Sequence, residues 1–307
     1  MSTAGELSAT IIVPVFNEEE GVVPFLEGLL KALAAPPEAA LEVIVVDDGS
    51  TDSTAEKLGD LKGITVLSHK HNRGYGAALK TGIRRSAHDT IVIIDADNSY
   101  DPADILKLLP HMEKNDMVVG RRPVVPGGRE FMREAAKWVL KKIANFLTKR
   151  KIPDLNSGLR VMDRAVVNKF MYLLPDGFSF TTTITMAMMT NHYHVRFEPI
   201  HYGARTGSSK IKPVSDFMSF VYLILTTMLC FKPERIFLPL AVLFFAASVF
   251  VLFASYLFTE KVMDVTTVLL FVSGFQFMVI GMLAGLIVQL SKRGADDEGP
   301  PDKPAQV

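Results

Sequence analysis

The sequence predicts an α/β domain built on a mostly parallel sheet, followed by interfacial helices and a two-helix transmembrane hairpin. Three observations carry this expectation. Short runs rich in β-branched residues alternate with helical patterns over the first two-thirds of the chain. Three of those runs end in segments bearing carboxylates. Two later stretches, residues 236–258 and 265–290, contain no charged side chain.

Taken in order, residues 10–15, 42–47, 64–67, 90–94 and 117–120 read as buried strands. Helical spacing fills the gaps at 18–34, 53–61, 76–86 and 103–113. Such alternation gives a parallel sheet covered on both faces. These sheets bind ligands beyond the carboxyl ends of their strands, where the strand order reverses. Polar residues are therefore expected just after the strands. The first strand runs into Pro14, Asn17 and Glu18, the second into Asp47-Asp48-Gly49-Ser50, and the fourth into Asp95-Ala96-Asp97-Asn98. Any one of these alone reads as a turn with a helix cap; three from one sheet read as a site.

Each charge-free stretch exceeds the ~20 residues a helix needs to cross ~30 Å of hydrocarbon. Pro239 falls in the first turn of its helix, where a missing N–H is harmless. Lys232 and Arg235 precede the first stretch, and Lys292 and Arg293 follow the second. Both ends of the hairpin are thus expected on the cytoplasmic side. Residues 1–9 lack the cationic region and apolar core of a signal peptide. The reading gives a cytoplasmic domain over 1–212, an interfacial helix over 213–235, the hairpin over 236–290 and a disordered acidic tail over 291–307. Gly281 and Gly285 form a small-xxx-small pair suited to the first span or to another subunit, so a homo-oligomer is compatible with the sequence.

Composition narrows the partners. Thirty-three basic residues balance 33 acidic ones, which argues against nucleic acid. A single cysteine, Cys230, excludes an internal disulfide. His192 and His194 alternate on an expected strand without a nearby cysteine and read as a surface pair rather than a zinc site.

Asp95 and Asp97, one residue apart in extended chain, point to the same side. They repel each other unless a cation lies between them or one takes a proton. All-oxygen ligation suits Mg²⁺ or Mn²⁺, with a diphosphate leaving group as its natural partner.

These motifs resemble a known family. Pro14-x-x-Asn17-Glu18, Asp47-Asp48-Gly49-Ser50, Asn72-x-Gly74-x-Gly76 and Asp95-x-Asp97 look like the nucleotide-sugar domain of the inverting family 2 glycosyltransferases, a GT-A-type fold. Asp154-x-Asn156-Ser157-Gly158-Leu159-Arg160, followed by a membrane hairpin, resembles the polyprenyl-phosphate branch, which includes dolichyl-phosphate mannose synthases and undecaprenyl-phosphate glycosyltransferases. The resemblance implies that Pro14, Glu18 and Asp48 line the base and ribose pocket, with Asn17, Asp47 and Gly76 beside the donor. It implies that Asp95 lies near the ribose or metal and that Asp97 is the principal metal ligand. Ser99 stands where dolichyl-phosphate mannose synthases often carry a Gln that supports the metal, which leaves the donor sugar open. Asp154, Asn156, Ser157 and Arg160 would sit between donor and acceptor, with Asp97, Asp154 and Arg160 as the catalytic set.

The acceptor side is argued from chemistry. A phosphate monoester has a second pKa near ~6 and is largely dianionic at neutral pH. It needs no strong base, only an offset to its charge as it approaches a diphosphate. Basic residues near the membrane supply this. Arg133, Lys137 and Lys141 recur every four residues over 129–150, beside an apolar stripe containing Trp138, and this amphipathic helix reads as interfacial. Arg122, just after the fifth strand, is placed to meet the same phosphate. Arg205 and Lys210 flank a Gly- and Ser-rich segment suited to closing over the donor phosphates.

Other readings fit less well. A dinucleotide fingerprint fails because Leu79 stands where G-x-G-x-x-G requires its third glycine. A processive polysaccharide synthase would need Gln-x-x-Arg-Trp, yet the glutamines are Gln276, Gln289 and Gln306. A non-catalytic scaffold would have no use for costly clustered carboxylates. A hydroxyl acceptor such as diacylglycerol would demand a true general base, with Asp154 as the residue to supply it.

Overall fold

The computed structural model describes residues 8–34, 39–123, 142, 145, 151–177, 179–203, 226, 229, 231–258 and 264–296. The chain divides into two units, Met1–Phe217 and Met218–Val307.

In the first unit, β1 (Ser8–Val15), β2 (Ala40–Asp47), β3 (Thr65–Ser68) and β4 (Thr90–Ile93) form the parallel half of the sheet. Their buried Ile and Val residues leave little choice of conformation, since β-branched side chains pack best on a pleated surface. Ile11, Ile12, Ile44, Val45 and Ile93 have no exposed surface, and each is worth roughly 1.5–3 kcal/mol of apolar burial. α1 (Val22–Leu33) covers one face through Val22, Phe25, Leu26, Leu29 and Leu33, a 3.6-residue stripe. α2 (Thr54–Gly59), α3 (Tyr75–Arg85) and α4 (Ala103–Leu108) complete the alternation, and a 3₁₀ turn over Leu109–Glu113 leads to β5 (Met117–Arg121).

Strand order is β3-β2-β1-β4-β6-β5-β7. The chain builds outward from β1 to β3, then returns to place β4 on the other side of β1. The carboxyl ends of β1, β2 and β4 therefore open side by side. β6 (Arg160–Asp163) lies antiparallel between β4 and β5, with Arg160 opposite both Ile93 and Val119. Because β6 runs backwards, the segment leading into it, 154–159, arrives at the exits of β4 and β5. α5 (Arg164–Lys169), the fully buried α6 (Phe180–Thr190) and β7 (Val195–Pro199), parallel to β5, follow.

Two helices differ from expectation for local reasons. The first begins at Val22 rather than at residue 18. Asn17 takes a left-handed conformation (φ 55°), and the amides of Asn17, Glu18 and Glu19 donate to Ser50 Oγ, Thr54 Oγ1 and Asp52 Oδ2. Those donors are spent across to the β2 exit. The fourth ends at Leu108 and tightens to 3₁₀ around Pro110, which has no N–H to continue an α-helix. β6 was not expected as a strand.

In the second unit, α7 (Glu234–Phe258) and α8 (Asp264–Asp296) pack as an antiparallel pair. Gly281 and Gly274 let them approach: a Cβ would fall 2.7 Å from Phe237 and 3.1 Å from Phe245. Ser248 donates to Thr267 O at 2.9 Å. Both contain stretches long and apolar enough to cross a membrane, with mean hydropathies of 2.7 and 2.1. α8 continues past Leu290 to Asp296, where a disordered tail was expected. Most of the expected interfacial helices over 129–150 and 213–235, and Arg133, Lys137, Arg205 and Lys210, lie outside the described residues.

Candidate active site

At the β2 exit, Asp47 turns back on its own chain: its Oδ1 accepts from the Ser50 amide (3.0 Å) and hydroxyl (2.5 Å). Asn17 closes the neighbouring β1 exit, its Oδ1 accepting from the Thr51 amide at 2.8 Å. Asp48 is 3% exposed. Its Oδ1 meets His69 Nδ1 at 2.6 Å and accepts from the Arg73 amide at 3.0 Å, while Oδ2 accepts from the Gly74 amide at 2.7 Å. The far side of the His69 ring reaches Thr81 Oγ1 at 2.9 Å. Asp48 thus ties the β3–α3 loop to the sheet. Gly76 is also accounted for by packing, since a Cβ there would lie 2.1 Å from Pro175 O. The loop around Asp176 covers this end of α3, accepting from the Ala77 amide and from Lys80.

At the β4 exit, Tyr75 Oη donates to Asp95 Oδ1 at 2.8 Å. Gly158 presses against the same carboxylate so closely that a Cβ would lie 1.9 Å from Oδ2. The Gly158 amide donates to Tyr100 Oη at 2.7 Å. Burial first, then the charge of Asp95, push the Tyr100 phenol up to about 12. The same two causes raise Tyr75. Both phenols are therefore neutral throughout the physiological range, Tyr75 donating to Asp95 and Tyr100 accepting from Gly158. Asp97 accepts from the Ser99 amide at 3.1 Å and from its hydroxyl. Ser99, 1% exposed, is turned inward to fix Asp97.

The third part lies at the β5 exit. Arg122 donates to Asp154 through Nε to Oδ2 and Nη2 to Oδ1, both 2.8 Å. Its guanidinium also sits over the Tyr202 ring, 5.4 Å from the centroid. Tyr202 packs edge-on against Tyr100 at 5.2 Å. Burial raises the Asp154 carboxyl, but hydrogen bonds and charge from Arg122 outweigh it and hold it below 3.8. Asp154 is a poor base here. Its Oδ1 also accepts from the Asn156 amide, and Thr182 Oγ1 donates to Asn156 Oδ1 at 2.5 Å, leaving the exposed Asn156 side chain its NH₂ donors.

Arg160 is the largest fully buried side chain among the described residues. Its guanidinium donates to Ser157 O, Thr181 O and Thr185 Oγ1. Burial pulls its pKa below the usual guanidinium value. In this arrangement it holds the 157–159 turn from behind. Ser157 is likewise buried, its hydroxyl on Leu159 O. Asp163 caps α5.

A model of the family described as "Glycosyl transferase family 2" matches residues 10–171, more than half of the chain. The chain belongs to glycosyltransferase family 2. This family 2 chain is 31% identical to the polyprenol monophosphomannose synthase of Mycolicibacterium smegmatis over 68% of its own length and 85% of that protein's. It is 30% identical to the dodecaprenyl-phosphate galacturonate synthase of Rhizobium johnstonii, over 53% of its own length and 50% of that protein's, so it spans about half of that relative. Its fold is shared with the glucosyl-3-phosphoglycerate synthase of Mycobacterium tuberculosis, solved in complex with Mn²⁺, UDP and phosphoglyceric acid. The TM-score is 0.57 at 20% identity, covering 74% of this chain and 78% of that one.

Among the described residues of the family 2 chain, no group of three or more His, Cys, Asp or Glu side chains could hold a metal. The donor set at Asp95 and Asp97 still fits Mg²⁺ or Mn²⁺, which bind through one or two carboxylates and take their remaining ligands from water and substrate phosphates. Sequence reasoning missed Tyr75, Tyr100, Tyr202 and Thr182, the groups that connect the predicted residues. Tyr75 lay inside the Asn72-x-Gly74-x-Gly76 motif, where the glycines drew the attention.

Proposed function

We propose that this chain transfers a hexosyl group from a UDP- or GDP-sugar to polyprenyl phosphate, inverting the anomeric carbon, at the cytoplasmic face of the inner membrane. The observation that carries the reading is the continuity from Asp95 through Gly158, Tyr100 and Tyr202 to the Arg122–Asp154 pair. A carboxylate pair suited to a metal-bound diphosphate and a half-buried guanidinium suited to a phosphate nucleophile share one wall. The similarity to a dodecaprenyl-phosphate galacturonate synthase and a polyprenol monophosphomannose synthase supports the acceptor.

Asp95 and Asp97 would hold the Mg²⁺ or Mn²⁺, which supplies charge neutralisation for the departing diphosphate when bound. Tyr75 and Ser99 keep the two carboxylates in place. Arg122, oriented by Asp154 and the Tyr202 face, offsets the acceptor's charge, and the Asn156 amide donates to it. An acceptor phosphate oxygen then attacks the anomeric carbon from the face opposite the leaving group. The bond to the diphosphate breaks with its electron pair on oxygen, and no proton has to be removed from a dianionic acceptor. The low pKa of Asp154 suits this and does not suit a hydroxyl acceptor. α7 and α8 serve as the membrane anchor of the chain.

The test is transfer by the purified, detergent-solubilised chain offered undecaprenyl phosphate, radiolabelled UDP- and GDP-sugars, and Mg²⁺ or Mn²⁺. Label in the lipid fraction with one donor, abolished by EDTA, is expected. Labelling of diacylglycerol or ceramide instead of the phosphate would overturn the acceptor. Donor binding with no labelled product would favour a scaffold.

A further inference from the structure

α8 carries a glutamine where a spanning helix tolerates an amide least. Within Val265–Leu290, Gln276 lies about 17 Å along the helix from one end and about 21 Å from the other at 1.5 Å per residue, and its side chain is exposed. The face toward α7 is the one with Gly274 and Gly281. At roughly 100° per residue Gln276 points away from both. It sits in a pattern of its own. Leu269, Val272, Gln276, Val279, Leu283 and Leu286 follow alternating three- and four-residue steps, the spacing of a helix–helix seam. Leu269, Leu283 and Leu286 are 62%, 55% and 53% exposed, so no described residue covers these leucines.

We infer that the seam seats the same face of a second copy of this chain, with Gln276 bonded to its counterpart across a two-fold axis along the membrane normal. The inference rests on the proposed reading of α8 as a spanning helix. Hydrocarbon offers an amide no partner, and Gln side chains in membranes hydrogen-bond across helices. A primary amide carries both donor and acceptor, so it is complementary to itself. Two copies inserted with the same topology present Gln276 at the same depth, and a lone polar group in an apolar seam fixes that register. An isoprenoid or acyl tail would satisfy the leucines and leave the amide unmet.

The test uses the full chain in native membranes, in a Cys230→Ser background. Leu283→Cys lies in the seam, while Met282→Cys sits at the same depth on a flank that is 64% exposed. Oxidation with copper phenanthroline is expected to give a linked dimer from Leu283→Cys and little from Met282→Cys. Adding Gln276→Leu should cut the Leu283→Cys dimer about fivefold, as expected for one interhelical hydrogen bond, and Gln276→Asn should restore most of it. Equal linking from both positions, or a dimer indifferent to Gln276→Leu, would overturn the pairing. Alkaline carbonate extraction separates the two levels: release of the chain would remove the spanning reading itself, whereas a retained, unlinked chain removes only the dimer.

Discussion

Arg122 and Asp154 meet through two parallel hydrogen bonds of 2.8 Å, the fork of a guanidinium laid against both oxygens of a carboxylate. Such pairs fix orientation as well as charge. The guanidinium carbon also lies over the Tyr202 ring, 5.4 Å from its centroid, so the cation has little freedom to swing. A fixed cation costs no reorganisation when a charged nucleophile approaches, which is where electrostatic catalysis gains most.

Asp154→Asn should therefore lower transfer by about 10- to 100-fold through misorientation, with donor binding unchanged and residual activity remaining. Complete loss would point to a true base. The pH dependence gives an independent check. The folded carboxyl titrates below its ordinary 3.8, so the pair's stabilisation is fully present above that value and is lost only as pH falls through the lower folded one. Over about pH 5 to 9 Asp154 does not change charge. Any acid limb near about 6 then belongs to the second ionisation of the acceptor phosphate and should stay in place in Asp154→Asn.

The Tyr75 hydroxyl on Asp95 predicts a change in metal requirement. Groups that hold a metal-binding carboxylate typically matter by 10- to 100-fold in affinity or activity. Tyr75→Phe should raise the Mn²⁺ concentration for half-maximal transfer about tenfold while leaving the thermal midpoint nearly unchanged. A metal titration that superimposes on the wild type would show that Asp95 needs no such support.

Gly158 offers a steric test of the same carboxylate. An added methyl would lie 1.9 Å from Asp95 Oδ2, so either the 157–159 turn or the carboxylate must move. Gly158→Ala should cost about 100-fold or more in transfer, since displacements of about 1 Å cost that much, in a chain that still shows the wild-type far-ultraviolet spectrum. Near-normal activity would mean that Asp95 has room to yield.

Much of the fold could be read from the residues because the governing signals are local. The β-branched runs of β1, β2 and β4, the stripe of α1 and the charge-free stretches of α7 and α8 each declare themselves within one element. The carboxylates at the strand exits were legible for the same reason. β6 was not: its four residues carry no period long enough to recognise, and it exists because β4 and β5 offer edges on either side. The tyrosines escaped notice because their roles depend on pairings across the fold, Tyr75 to Asp95 and Tyr100 to Gly158, that no spacing encodes. Arg160 is a related case: the motif it closes reads as lying between donor and acceptor, and only the antiparallel insertion of β6 turns its side chain inward.

That inward turn makes a prediction about stability. Arg160 donates to Ser157 O, Thr181 O and Thr185 Oγ1 with no exposed surface. Hydrogen bonds to charged groups contribute about 1.5–3 kcal/mol, and an orphaned buried acceptor costs about 1–3 kcal/mol. Arg160→Met should destabilise the domain by about 2–4 kcal/mol on that basis. Arg160→Lys should lose somewhat less, because one ammonium cannot span both carbonyls in the geometry of the guanidinium fork. If the residue acts only by holding the 157–159 turn, activity should fall in step with the thermal midpoint and recover on cooling. A lysine variant with an unchanged midpoint and abolished transfer would instead place Arg160 in contact with substrate, and would require β6 to enter the sheet differently from the register observed.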